Sequence, residues 1–106
     1  MKKINVLLVC SAGMSTSLLV EKMKKVASDR GIEADIWAIG SSYLESELNT
    51  KDVDVILVGP QMRYELANIQ EQAARRKIKA EGIAMQDYGL CRGEKVLEQA
   101  LTLIEP

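Results

Sequence analysis

Two aliphatic runs constrain this chain more than any other feature: Ile-Asn-Val-Leu-Leu-Val at residues 4–9 and Val-Asp-Val-Ile-Leu-Val at residues 53–58. Both are rich in β-branched residues and nearly continuous in hydrophobicity, the pattern of strands buried on both faces. Strands of that kind need covering layers, and the segments between them supply helical periodicity. Leu19, Met23 and Val26 recur at helical spacing, and Gly31 is a plausible stop after Lys24, Lys25 and Arg30. A second strand fits residues 33–39, and the polar stretch 41–50 has room for a short helix. Gly59-Pro60 closes the third strand, after which Met62, Leu66, Ile69 and Ala73 trace the buried stripe of another helix. A fourth strand at residues 79–85 is weakened by Gly82. A final helix from about Gly89 carries Leu97, Ala100, Leu101 and Ile104. This alternation predicts an α/β fold, a parallel sheet with helices on both faces, in one domain spanning residues 1–106. In such sheets ligands bind beyond the carboxyl ends of the strands, so the loops beginning at Cys10, Gly59 and Gln86 share the edge where function is expected.

Composition excludes several classes. The formal net charge of -1 gives no basic excess of the kind nucleic acid requires. The short run Arg75-Arg76-Lys77 reads as the solvated end of a helix. With no histidine in the chain, His-based zinc sites, His-dependent triads and a phosphohistidine carrier are all removed. No metal and no cofactor are expected. Cys10 and Cys91 are far apart and form no C-x-x-C motif, which fits free thiols in a reducing compartment. The apolar stretch before Cys10 is too short for a signal peptide and is interrupted by Asn5. No stretch reaches the roughly 18 apolar residues of a membrane span.

The chemistry concentrates at residues 10–17, Cys-Ser-Ala-Gly-Met-Ser-Thr-Ser. A thiol at the start of a strand-to-helix loop faces N–H groups that have no partner inside the helix, together with the positive end of the helix dipole. Both favour the thiolate and so a competent nucleophile. The same N–H groups suit phosphoryl oxygens. Gly13 permits a tight backbone turn, while Ser11, Ser15, Thr16 and Ser17 add hydroxyls. The phosphate-binding candidates are therefore Ser11, Ala12, Gly13, Met14, Ser15, Thr16 and Ser17, around Cys10 as the reactive residue. The bland alternative is a buried thiol at a tight turn. Low-molecular-weight cysteine phosphatases use C-x5-R-S/T, but Thr16 occupies the Arg position here, so the guanidinium that stabilises the transferring group is missing. No Asp has a clear claim to be the general acid, although Asp87 lies in a candidate active-edge loop. A loop that binds phosphate without hydrolytic machinery suits a carrier.

These residues resemble a known family. The 10–17 loop is similar to the phosphorylation loop of lactose/cellobiose-type IIB components of the bacterial sugar phosphotransferase system. Gly59-Pro60-Gln61 through Tyr64 resembles that family's second signature, and Asp87-Tyr88-Gly89 resembles its third. The resemblance implies a four-stranded sheet in order 2-1-3-4. It implies phosphoryl transfer from a phosphohistidine on a IIA protein, through Cys10, to a sugar of the lactose, cellobiose or chitobiose class bound by the membrane permease IIC. It also implies a cytoplasmic protein peripherally associated with IIC. Which sugar is carried is left open.

Other residues carry two readings each. Gln61 is either a donor to the phosphoryl group or a cap for the helix after Pro60. Tyr64 and Tyr88 either line the site or pack amphipathically at the surface, the commoner fate of tyrosine. Met14 suits an apolar contact with IIA or IIC. Cys91 reads as an unreactive or partner-facing thiol. Asp52 and Asp54 read as polar residues at the far end of the third strand. Two further functions stay in view: a small phosphatase, and a flavodoxin-like binding domain in which Cys10 is structural.

Overall fold

The computed structural model describes residues 3–10 and 13–104, with residues 14 and 15 described in backbone only. The strands are β1 (Ile4–Cys10), β2 (Ala34–Gly40), β3 (Val55–Val58) and β4 (Lys79–Gly82). The helices are α1 (Gly13–Asp29), α2 (Leu44–Thr50), α3 (Leu66–Ala74), α4 (Met85–Gly89) and α5 (Gly93–Ile104). Short 3-10 turns, Ser41–Tyr43 and Pro60–Glu65, lead into α2 and α3. All pairings are parallel, in the order β2-β1-β3-β4.

Because side chains alternate across a strand, each central strand feeds two cores. Val6, Leu8, Val55 and Leu57 join Leu19, Met23, Val96, Leu97 and Ala100 beneath α1 and α5. Leu7, Val9, Ile56 and Val58 join Leu44, Leu48, Met62, Ile69 and Ala73 beneath α2 and α3. Each large aliphatic side chain removed from water in this way contributes about 1.5–3 kcal/mol. The stripe expected at Met62, Leu66, Ile69 and Ala73 is the one that packs, with Leu66 only partly covered.

Helix ends explain several boundaries. Gly31 ends α1 in the left-handed region at φ 69°, with Ile32 N–H donating to Ala27 and Gly31 N–H to Ser28. This is the Schellman arrangement. The same pair of bonds recurs after α3, where Lys77 takes φ 60°, and after α4, where Cys91 takes φ 50°. Arg75, Arg76 and Lys77 thus form the solvated helix end that their charge suggested.

Several boundaries differ from the sequence expectation, three of them with a clear physical reason. β3 begins at Val55 and not at 53, because the Asp54 carboxylate accepts the Asn5 backbone N–H at 2.7 Å and caps the sheet there. β4 stops at Gly82: Ile83 makes one more bond to Val58, and the chain then turns into α4 at Met85. The final helix starts at Gly93, since Cys91 in the left-handed region reverses the chain after α4. α1 and α5 are also joined at the surface, where Arg30 meets Glu94 at 2.9 Å and Glu98 at 3.3 Å. Hydrogen bonding to Glu94 first, then to Glu98, raises the Arg30 guanidinium above its ordinary pKa. No helix among the described residues is long and apolar enough to cross a membrane.

Candidate functional site

The strand order places a reversal between β1 and β3. The chain leaves β1 for β2 on one side and returns to lay β3 on the other, so the carboxyl ends of β1 and β3 flank the crevice favoured for ligands in such sheets. Cys10 is the last residue of β1, opposite Gly40. The Gly59 N–H donates to the Val9 carbonyl at 2.9 Å and fixes the start of the β3 loop beside it. Cys10 is only 2% exposed, and its thiol donates to the Ile39 carbonyl at 3.6 Å.

α1 starts at Gly13, within three residues of the thiol, so the unpaired N–H groups of its first turn follow directly from the Cys10 strand end. Ser11 and Ala12 lie outside the described residues, as do the side chains of Met14 and Ser15. Ser17 is exposed, whereas Thr16 is 1% exposed and its hydroxyl lies 2.8 Å from that of Tyr88. The position that holds arginine in cysteine phosphatases is therefore an interior threonine bound to a tyrosine. Asp87 is directed at Arg92, 3.6 Å away.

Tyr88 departs from the surface packing expected of it. It is 9% exposed and belongs to the core beneath α1 and α5. Its ring lies 3.6 Å from where a Cβ on Gly59 would stand. Loops after β1, β3 and β4 thus meet at this one side chain. Tyr64 follows the commoner surface fate, 79% exposed, with its hydroxyl against the Met62 sulfur. Gly59 occupies the N-cap of the Pro60–Glu65 turn, so Gln61 falls inside the turn and not ahead of it. The Gln61 side-chain oxygen instead lies over Gly59, 3.0 Å from the would-be Cβ. Cys91 is half-buried in the left-handed link between α4 and α5.

Two features of this edge were missed in the sequence. Arg63 lines a small cavity of about 110 Å³ together with Gly59, Pro60, Gly82 and Ile83, at the carboxyl ends of β3 and β4. Its signal was a lone basic residue four positions after Gly59. The second is apolar. Among the described residues, the exposed large hydrophobic side chains are Leu18, Tyr43, Tyr64, Met85 and Leu90. Each lies on, or just after, the element that directly follows the carboxyl end of a strand. Apolar residues gathered at one edge mark a surface suited to protein contact.

Comparison with known proteins agrees with this geometry. The sequence profile of the phosphotransferase-system lactose/cellobiose-specific IIB subunit matches residues 5–99. The chain is 46% identical over 104 residues to the oligo-beta-mannoside-specific EIIB component of Bacillus subtilis, covering 98% of this chain and 97% of that protein. It is 40% identical over 100 residues to the cellobiose-specific EIIB component of Lactococcus lactis, covering 92% and 93%. Among solved structures, the cellobiose-specific IIB protein of Borrelia burgdorferi superposes with a TM-score of 0.79 at 39% identity, over 97% of this chain and 93% of that one. The lactose-specific IIB domain of Streptococcus pneumoniae gives 0.85 at 18% identity, over 98% and 100%, a likeness of fold alone.

Proposed function

Since the chain belongs to the lactose/cellobiose-specific IIB family of the sugar phosphotransferase system, we propose that Cys10 is its phosphoryl carrier, loaded by a IIA phosphohistidine and discharged to a sugar held by IIC. The observation that carries this reading is the position of Cys10. It ends the central strand at the sheet's reversal point, directly before the first turn of α1.

In the loading step the Cys10 sulfur, as thiolate, attacks the phosphorus of the phosphohistidine. The S–P bond forms as the N–P bond breaks, and the imidazole nitrogen keeps that electron pair. In the second step a sugar hydroxyl oxygen attacks the same phosphorus, the S–P bond breaks, and the thiolate leaves while the hydroxyl proton passes to solvent. The phosphate-binding role falls to the loop of Ser11, Ala12, Gly13, Met14, Ser15, Thr16 and Ser17, chiefly through backbone N–H groups. Charge-assisted bonds of this kind contribute about 1.5–3 kcal/mol each. Gln61, whose side chain lies against Gly59, is the proposed second-loop donor through its amide N–H. Retention of the phosphoryl group until its acceptor arrives is supported by Thr16, buried against Tyr88 where a phosphatase has its arginine.

The IIA protein docks over Leu18, Tyr43, Tyr64, Met85 and Leu90, exposed apolar residues on or just after the elements that follow the strands' carboxyl ends. IIC uses the same edge in turn, holding the chain peripherally at the membrane and selecting the sugar. The sugars of the relatives, β-mannosides and cellobiose, make β-linked oligosaccharides the first substrates to test. The test is reconstitution with the cognate IIA, IIC-containing membranes, phosphoenolpyruvate and the general phosphotransferase proteins. Sugar phosphate should form only when this chain is added, and Cys10→Ala should abolish it. Sugar phosphate formed equally well with Cys10→Ala would overturn the proposal.

A further inference from the structure

Thr16 and Tyr88 share a buried hydrogen bond at 2.8 Å across 72 positions of sequence. Thr16 is the fourth residue of α1, which begins at Gly13, three positions after Cys10. Tyr88 is itself held by backbone bonds, its N–H donating to Ala84 and its carbonyl accepting from Cys91. Its ring reaches the side of Gly59, whose N–H is fixed to Val9 one residue before Cys10. The bond therefore ties the start of α1 to the two other loops of the same edge.

We propose that Tyr88 is a positioning residue for phosphoryl transfer at Cys10, acting through the Thr16 hydroxyl to set the orientation of the first turn of α1. The inference rests on the reading of Cys10 as the carrier and adds to it a control from the loop after β4. Convergent N–H donors act only when aimed at the same oxygens, and small displacements of such groups cost large factors in rate. The role assigned to Thr16 is the placing of the helix turn through its bond to Tyr88, and not a contact of its hydroxyl with the phosphoryl group.

A purely structural hydrogen bond makes a different prediction, because removing both partners of a buried pair is far less costly than removing one. The experiment uses Tyr88→Phe, Thr16→Val, the double variant and Thr16→Ser. For each, loading of Cys10 by phospho-IIA is timed over a range of donor concentrations, alongside thermal unfolding. Each apolar single variant should load about tenfold more slowly at saturating donor, with the half-saturating donor concentration unchanged. A tenfold loss corresponds to about 1.4 kcal/mol. The double variant should recover most of the lost thermal stability yet load no faster and no slower than the singles, since the two residues act as a unit. Thr16→Ser should load faster than Thr16→Val. If loading recovers together with stability in the double variant, the pair is only structural and the inference fails. It fails equally if Tyr88→Phe loads at the wild-type rate, or if the two losses multiply, which would give Thr16 an independent phosphoryl contact. A wild-type chain that accepts no phosphoryl group on Cys10 overturns the carrier reading instead, and the inference with it.

Discussion

The Cys10 thiol points across the sheet to the Ile39 carbonyl, 3.6 Å away on the neighbouring strand. A thiol is a weak donor, and Cys10 packs as a small apolar residue at the top of β1. Cys10→Ala should therefore fold normally and lose only about 1–2 kcal/mol by urea denaturation, the contribution of a small buried apolar group. A loss several times larger would show that Cys10 is chiefly structural.

The start of α5 lies against α1 where Gly93 meets Lys22. A Cβ on Gly93 would lie 2.8 Å from the Lys22 carbonyl carbon and 2.9 Å from the Met23 nitrogen. Backbone atoms in the middle of a helix have little room to yield. Gly93→Ala should destabilise by about 1–3 kcal/mol, as overpacked sites do, with a lower denaturation midpoint and an unchanged slope.

Gly31 and Lys77 occupy equivalent positions at the ends of α1 and α3, and they should respond in opposite directions. A Cβ on Gly31 meets nothing within 4 Å, so only its φ of 69° opposes a side chain. Gly31→Ala should cost about 1 kcal/mol. Lys77 already bears the left-handed strain at φ 60°, and Lys77→Gly should stabilise by about 0.5 kcal/mol once the extra freedom of glycine in the unfolded chain is deducted. Paired thermal melts would read both changes.

Hydrolysis should be negligible. No guanidinium occupies the Thr16 position, and Asp87 is turned to Arg92. The free protein should release phosphate from p-nitrophenyl phosphate no faster than Cys10→Ala does. Turnover at the rate of a low-molecular-weight phosphatase, lost in Cys10→Ala, would contradict a carrier.

Much of the fold was legible because it depends on local pattern. The aliphatic runs at 4–9 and 53–58 became the two central strands, and Leu66, Ile69 and Ala73 became the stripe under α3, while Met62 is buried from the 3-10 turn that precedes it. What escaped the sequence depends on long-range packing or on residues taking an unfavoured conformation. Tyr88 is buried by packing into the core beneath α1 and α5 and bonds Thr16 there, contacts that no local window contains. The link before α5 was hidden because Cys91 adopts the left-handed region where glycine would have announced a helix end. The β3 start moved because a side chain, Asp54, takes a hydrogen bond that periodicity assigns to backbone. At the site, the position of Cys10 at a strand end could be read directly, while the burial of Thr16 and the placement of Arg63 could not.

The most direct test of the account is where the phosphoryl group goes. The chain is incubated with phosphoenolpyruvate, the general phosphotransferase proteins and a matching IIA, and the product is mapped by mass spectrometry under conditions that preserve thiophosphate. A single phosphoryl group is expected on Cys10, absent from Cys10→Ala and retained in Cys91→Ala. A phosphoryl group on Cys91, or on a serine or threonine, would contradict it.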